Sequence, residues 1–506
     1  MPHLSIRAAA GTGKTTTIVE GSKVALGLGS SLVPSTQQAA VWDAMREIIR
    51  PGSSVRFMAF NASIAKELGH RLPSGMQSST FHSFGFSVLR QAKRSVKLQE
   101  DRVGILLNKV FRIDFTKQPE LFYGLRDLVS LVKVSLADWH DTETLLDLID
   151  WHSIALNGST QTALKLLPEV MEHCYDCPDN LIDFDDMVWL PVVRQMTIPQ
   201  TDVLLVDERQ DLNRVQQELC FRAGGALIGV GDPRQAIYGF AGADAGAFQR
   251  LSDRLAATSQ GLVELPLMQT RRCPKKVVAS VKHIVPDFEA LPEAPEGVYE
   301  SGISHNTLLG DKPHPTLGSP QAGDMILCRT NAPLISLCYG LLARDIPAAI
   351  QGRKIGTGLQ ALVKKSKATT IPEFVSWIDR YEQSEMARLL ARKNPSASSQ
   401  QALEDKIACL HAMTAGQRSI SELVARIDRL FSDTAKANQI RLSSIHKAKG
   451  LEADRVWVAC SDKVPTWAKQ PWEKEQEANL IYVARTRAKQ QLALCLSPAE
   501  KGLEAA

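Results

Sequence analysis

Leu4-Ser5-Ile6-Arg7-Ala8-Ala9-Ala10-Gly11-Thr12-Gly13-Lys14-Thr15 is the stretch whose reading decides the fold. Leu4–Arg7 reads as a short strand, the glycines as a tight turn, and the periodic residues through Ile18 and Val19 as a helix. Gly11 and Gly13 let backbone N–H groups converge on a phosphate, and the positive end of the new helix points to the same place. Lys14 is then placed to reach the β- and γ-phosphates, and the Thr15 hydroxyl to hold Mg²⁺. Ala8 stands where the general pattern has its first glycine. Alone, the stretch is either a nucleotide loop or a glycine-rich strand-to-helix turn.

Two downstream blocks decide between these. Val203-Leu204-Leu205-Val206 is a continuous apolar run, the signature of a buried parallel strand, and it ends in Asp207-Glu208-Arg209-Gln210-Asp211. Carboxylates at the C-terminal edge of such a strand suit two tasks: holding Mg²⁺ (Asp207) and orienting and deprotonating an attacking water (Glu208). A third strand, Ala226–Val230, leads into Gly231-Asp232-Pro233-Arg234-Gln235-Ala236-Ile237-Tyr238-Gly239-Phe240. Gln235 has the chemistry to sense a γ-phosphate. Tyr238 and Phe240 are either base-stacking rings or ordinary core aromatics.

The order of blocks resembles superfamily 1 helicases of the UvrD/Rep type. After the phosphate loop come Phe60-Asn61-Ala62-Ser63, Thr80-Phe81-His82-Ser83, Ile182-Asp183-Phe184-Asp185-Asp186-Met187 and the two blocks above. Arg329-Thr330-Asn331, Ser444-Ile445-His446-Lys447-Ala448-Lys449-Gly450-Leu451-Glu452 and Tyr482-Val483-Ala484-Arg485-Thr486-Arg487-Ala488 follow, so the resemblance spans the chain. It implies an α/β fold of two RecA-like P-loop domains, parallel sheets flanked by helices, with helical insertions 1B and 2B. The first RecA-like domain is expected at 1–86 and 182–260, insertion 1B at 87–181, the second RecA-like domain at 261–358 and 431–506, and a short 2B-like insertion at 359–430. Residues 286–323, rich in Pro, Gly, Ser and His, read as a long loop.

The resemblance also implies roles. Ala10, Gly11, Thr12, Gly13, Lys14, Thr15 and Thr16 cradle ATP; Thr15 and Asp207 hold Mg²⁺; Asp207, Glu208 and Gln235 serve hydrolysis. Arg487 matches the motor arginine supplied from the second domain, Arg272 aligns with another, and Glu452 matches a ribose ligand. Phe60, Asn61, Thr80, Phe81, His82, Tyr238, Phe240, Arg329 and Asn331 match positions near single-stranded DNA. His446 and Lys449 belong to the block joining nucleotide cleft to DNA track. Relatives carry an adenine-reading glutamine ahead of the phosphate loop; here Gln37 and Gln38 in Pro34-Ser35-Thr36-Gln37-Gln38 come after it. Either they read adenine, or Ser35 or Thr36 simply caps a helix. Arg271 stands where relatives stack a Tyr on adenine, and a guanidinium plane can do the same.

Composition agrees with this and narrows little further. The 506 residues are 44% hydrophobic and 23% charged, ordinary for globular domains and too many for a single core. Net charge is only +4, from 59 basic and 55 acidic side chains, so nucleic-acid binding needs a local basic groove. Nine scattered cysteines fit reduced thiols, and the pair Cys174 and Cys177 reads as two ordinary thiols rather than a zinc site. With no apolar run of spanning length and a motif at the very start, a cytoplasmic location is expected. The expected activity is ATP-dependent 3′→5′ translocation on single-stranded DNA with duplex unwinding, and a nuclease or a replication or repair factor is the expected kind of protein partner. The alternative is a DNA-stimulated ATPase switch that senses DNA ends for a partner nuclease without unwinding.

Overall fold

The structure is a computed structural model and describes residues 1–498 other than 60, 153, 155, 157, 238–245, 343, 345, 352, 391–396, 433–437 and 464–470. Met1–Gln269 forms one compact unit, and the chain from Thr270 forms the second.

The first unit is built on six strands: β1 (His3–Ala8), β2 (Val55–Ala59), β3 (Gln77–Thr80), β4 (Thr201–Val206), β5 (Gly224–Gly231) and β6 (Leu262–Leu267). Their order is β3-β2-β4-β5-β1-β6, and every pairing is parallel. Val203–Val206 of β4 are buried throughout, which is why the run shows no polar alternation. The motif-bearing turns leave the C-terminal ends of three neighbouring strands, β4, β5 and β1, so chain connectivity alone gathers them at one edge. The domain edge expected at 260/261 falls ahead of β6, which pairs with β1 residue for residue from His3↔Leu262 to Ala8↔Leu267. The unit closes instead at Gln269, because an edge strand satisfies its backbone in the sheet it joins.

Helices Lys14–Ala25 and Thr36–Ile48 pack against each other at Gly21, where a Cβ would lie 2.6 Å from the Met45 sulfur. Trp42 Nε1 donates to the Thr17 carbonyl at 2.9 Å. The segment after the phosphate loop is therefore folded back along the loop's own helix.

Between Phe86 and β4 lie helices Arg102–Lys109, Pro119–Ser135, Thr142–Trp151 and Thr160–Asp176, closed at their base by a parallel pairing of Lys97–Leu98 with Leu181–Ile182. Their leucines share one apolar cluster with Phe84, Met187 and Leu204. A buried ionic knot pins them: Lys133 Nζ lies 2.7 Å from Asp183 and 2.8 Å from Asp186, and Arg102 Nη1 lies 2.6 Å from Asp186. Burial of Asp183 pushes its carboxyl up to about 6, against the pull of Lys133.

The second unit is built on a seven-stranded sheet: β7 (Val298–Ile303), β8 (Met325–Cys328), β9 (Ala348–Gln351), β10 (Phe431–Ser432), β11 (Ile440–Ser444), β12 (Ala453–Val458) and β13 (Ala488–Cys495). They run in the order β7-β13-β12-β8-β11-β9-β10, again all parallel. The 286–323 stretch is thus not one long loop. Val298-Tyr299-Glu300 has β-forming residues and pairs with Gln491–Ala493, a tertiary partner that composition does not reveal. Helices Arg353–Ser366, Ile371–Leu390, Ala397–Thr414 and Ile420–Leu430 fill the interval between β9 and β10, and Phe374, Ile378, Leu410 and Leu423 join the cluster of Ile326, Ile350 and Leu442. Among the described residues no helix is long and apolar enough to cross a membrane.

Candidate nucleotide and nucleic-acid site

Helix Lys14–Ala25 differs from its neighbours at its N-terminus. Ser35, Asn61, Thr80, Asp183 and Asn213 each cap their helices with a side-chain acceptor. The phosphate-loop helix has Gly13 at that position, with φ of 79°, no side-chain cap and no acid in its first turn. Gly11 is also left-handed, at φ of 69°. The loop is held from behind, where Thr12 Oγ1 donates to the Ala9 carbonyl at 3.0 Å and Ala10 is buried. Thr16 Oγ1 accepts from Arg71 at 3.3 Å. An N-terminus without a side-chain cap, a positive helix end and no competing carboxylate in the turn make an anion cradle.

Against this cradle stand the acids of the β4 edge. Thr15 Oγ1 donates to Asp207, whose other oxygen accepts the Glu208 N–H at 2.9 Å. Complete burial, and then the neighbouring Glu208 charge, push the Asp207 carboxyl up to about 6. A hydroxyl and a buried carboxylate side by side form a hard-oxygen donor pair that fits Mg²⁺, and a divalent charge there would reverse the upward shift. Lys14 Nζ lies 3.7 Å from Glu208. Glu208 itself has φ of 51°, a left-handed backbone rare for a residue with a side chain.

From Glu208 a hydrogen-bonded chain leads to the third motif. Gln210 Nε2 donates to Glu208 Oε2 at 2.5 Å, and its Oε1 accepts the Asp232 N–H at 3.0 Å. Asp232 in turn accepts from Gln235 Nε2 at 2.6 Å. The structure thus brings Lys14, Thr15, Asp207, Glu208 and Gln235 together. Gln210, given no role in the sequence reading, is the link between them; its place in the acidic block was the available signal.

The displaced glutamines resolve into two different jobs. Ser35 caps helix Thr36–Ile48 in a reciprocal box with Gln38, whose amide also donates to Thr17 Oγ1 at 2.9 Å. Gln37 Oε1 accepts the N–H groups of Met268 and Gln269 at 2.7 and 3.3 Å, bracing the end of β6. Ser35 therefore caps this helix, and Gln38 closes the capping box.

In the second unit Arg272, Glu452 and Arg487 cluster. Arg272 Nε donates to Glu452 at 2.7 Å, and its Nη1 lies 3.4 Å from the Thr486 carbonyl. Arg487 is 1% exposed and donates to the carbonyls of Val483 (2.9 Å) and Leu451 (3.2 Å). Arg271 adjoins Arg272 on the same turn.

Of the residues assigned to DNA, Phe60, Tyr238 and Phe240 lie outside the described residues. Asn61 and Thr80 cap helices Ala62–Arg71 and Phe81–Ala92. Phe81 needs correction: it is 2% exposed and packs in the first unit's core, since the helix it starts must bury one face, so its ring offers no stacking surface. The exposed ring nearby is Phe184, 46% exposed and edge-on to His82 at 6.3 Å. Burial holds the His82 imidazole below its ordinary range, opposed by Asp185. Arg329 is gripped by Glu477 through contacts of 2.8 to 3.1 Å, and Asn331 accepts the first backbone bond of the helix after β8. His446 and Lys449 sit on the turn following β11, where burial, then Arg329, pushes His446 down to about 4.

Comparison with known proteins places this geometry. The UvrD/REP helicase N-terminal domain matches residues 2–256, and the UvrD-like helicase C-terminal domain matches 359–498. The chain is 24% identical to F-box DNA helicase protein 1 of Schizosaccharomyces pombe over 97% of its own length and 55% of that protein's. It is 31% identical to an ATP-dependent helicase/nuclease subunit of Staphylococcus carnosus over 22% of this chain and 10% of that one. Over 34% of this chain and 26% of the other it is 25% identical to ATP-dependent DNA helicase Rep of Buchnera aphidicola subsp. Baizongia pistaciae. The chain spans about half the length of the first of these relatives and less of the others. With both domain descriptions matched in order around the phosphate loop and its acids, the chain belongs to the UvrD/Rep-like helicase family.

Proposed function

We propose that this chain hydrolyses ATP to move 3′→5′ along single-stranded DNA and unwind duplex ahead of it. The observation that carries the proposal is the continuous path from Lys14 and Glu208 through Gln210 and Asp232 to Gln235, because Gln235 adjoins the segment holding Tyr238 and Phe240. A triphosphate seats on the uncapped helix, with Lys14 on its β- and γ-oxygens. Bound Mg²⁺ would supply charge neutralisation on those oxygens, held by Thr15 and Asp207. Glu208 takes the proton of the attacking water, and Gln235 reports the γ-phosphate. Arg272 and Arg487 act from the second unit on the charge that develops in transfer, and Arg271 and Gln37 flank the adenine; these roles rest on family membership. The intervals 87–181 and 359–430 are assigned as insertions 1B and 2B.

For DNA, Asn61, Thr80, His82, Phe184, Tyr238 and Phe240 in the first unit and Arg329, Asn331, His446 and Lys449 in the second are assigned to the track. The test is ATP turnover with and without an oligo(dT) strand, followed by strand displacement on 3′- and 5′-tailed duplexes. Turnover indifferent to DNA overturns the proposal, and displacement from a 5′ tail alone overturns the polarity. The second reading, an end-sensing switch for a partner nuclease, is favoured by the likeness to a helicase/nuclease component. DNA-stimulated turnover with no displacement from either tail would select it.

A further inference from the structure

Three adjacent strands of the second unit carry a cysteine at their C-terminal ends. Cys328 closes β8, Cys495 closes β13, and Cys460 follows β12 between them. β8 and β12 run parallel with Leu327 opposite Val458, and the Ala459 N–H donates to the Leu327 carbonyl at 2.8 Å. Cys460 is thus one step past the residue facing Cys328. Paired strands lie about 4.8 Å apart and rise about 3.3 Å per residue, which puts the two Cα atoms roughly 6 Å from each other, inside the range a disulfide spans. Cys460 has φ of 52°, so the chain leaves the strand line there and turns the side chain from the face that alternation would give it. The two thiols share a hydrogen bond.

That bond, against the cost of burial, holds the Cys460 thiol below its ordinary value, with help from Ser497 and Lys463; the same bond, with burial, raises Cys328. Other thiols go the opposite way. Burial raises Cys174 and Cys177, the pair whose spacing stands out in the sequence, and it raises Cys273 and Cys338. Cys460 also lines a cavity of about 90 Å³ together with Arg329, Ser461, Lys463 and Glu477, which is room for a molecule larger than water. Cys328 is buried at 1% exposure. A thiol of lowered pKa on a cavity, with a second thiol against it, is the arrangement of a reactive cysteine and its resolving partner.

We propose that Cys460 and Cys328 form a modification site: a hydroperoxide admitted by the cavity oxidises Cys460, and Cys328 resolves the product into a disulfide that a dithiol reverses. The Cys460 thiolate attacks the terminal oxygen of ROOH. The O–O bond breaks, RO⁻ takes up the proton that Cys460 released and departs as ROH, and Cys460 is left as a sulfenic acid. The Cys328 sulfur then attacks the Cys460 sulfur, the S–O bond breaks, and hydroxide leaves with the Cys328 proton as water. In all, two thiols give up two electrons and two protons, and the peroxide is reduced to ROH and water. Neither ATP turnover nor DNA enters this chemistry. The bridge closes at the root of the Arg329-Thr330-Asn331 corner, because Cys328 directly precedes it.

The full chain, reduced and then freed of reductant, is treated with hydrogen peroxide under conditions that leave its circular dichroism unchanged. Remaining thiols are alkylated, and the protein is digested without reductant for mass spectrometry. A linked peptide pair containing Cys328 and Cys460 is expected, lost after dithiothreitol, with Cys460 oxidised roughly 10-fold faster than Cys273 or Cys338. In Cys328→Ser the resolving partner is gone, and dimedone should capture the sulfenic acid on Cys460. Three results overturn the proposal: linkage of Cys460 to any other cysteine, oxidation of Cys460 to sulfinic acid while Cys328 stays alkylatable, or a Cys460 that does not react. The peptide map of the parent needs no substitution, so it decides even if Cys328→Ser does not fold.

Discussion

Each unit contains a strand that ends in a short turn and starts a helix, and the two corners have opposite character. In the first, β1 runs through Gly11 and Gly13, both left-handed, into a helix whose N-terminus no side chain caps. In the second, β8 runs through Arg329-Thr330-Asn331 into helix Ala332–Leu342 with no glycine, and a guanidinium clamped by Glu477 occupies the corner. The same architecture is an anion receptor where two residues lack a Cβ and a cation-bearing corner where they do not. The contrast extends to partners. The first unit holds acids against a lysine around an open cradle, whereas the second satisfies its arginines internally: Arg272 by Glu452 and Arg487 by main-chain carbonyls. The second unit keeps these positive charges occupied by its own groups.

That contrast breaks most visibly at Arg487. Arg487→Ala is expected to lower DNA-stimulated turnover by roughly 10³- to 10⁵-fold while nucleotide affinity, set by the first unit, changes little. Steady-state hydrolysis beside titration of a fluorescent ATP analogue checks this, and a parallel collapse of affinity would mean that binding is not confined to the first unit. Glu208→Gln should lose about 10²- to 10⁴-fold in turnover with affinity retained, as removal of a general base predicts. Brisk hydrolysis by that variant would remove Glu208 from its role.

Asp207 sharpens the picture by its pH dependence. Its pKa is raised from 3.8 to about 6, so the folded state binds a proton that the unfolded chain has released between those values. The charged form is disfavoured in the fold: the penalty is complete above about pH 6, eases as pH falls, and is gone below 3.8. Asp207→Asn should therefore be more stable than the parent by roughly 3 kcal/mol at pH 8 in the absence of Mg²⁺, with the gap closing by about pH 4. Chemical denaturation at the two pH values measures it, and Mg²⁺ should stabilise the parent alone. The smallest effect is expected at Gln37, whose carbonyl oxygen is committed to Met268. Gln37→Ala should lower the preference for ATP over GTP by about 2- to 10-fold in kcat/KM; no change would leave Gln37 as a brace for β6.

Much of this was legible in one dimension because its physical causes are local. A glycine's tolerance for positive φ, an unbroken apolar run and a carboxylate following it require no knowledge of neighbours, and they located β1, β4, β5, the cradle and its acids. The errors share one cause as well. β6 and β7 are edge strands whose pairing partners lie far away in sequence, so the boundary at 260/261 and the long loop at 286–323 were misread. Phe81 and Phe184 are both phenylalanines beside motif residues, and only the packing of their helices makes one core and the other surface.

Residue identities by themselves determined a glycine-rich strand-to-helix turn, the acids that follow β4, two arginines and a family. Which of these groups touch, the tertiary structure alone decided. It bound Glu208 to Gln235 through Gln210 and Asp232, buried Arg209 against Phe248, and set Arg272 on Glu452. The reason is that a side chain's type is inherited from one position, while its partner depends on which strand ends the sheet order makes neighbours.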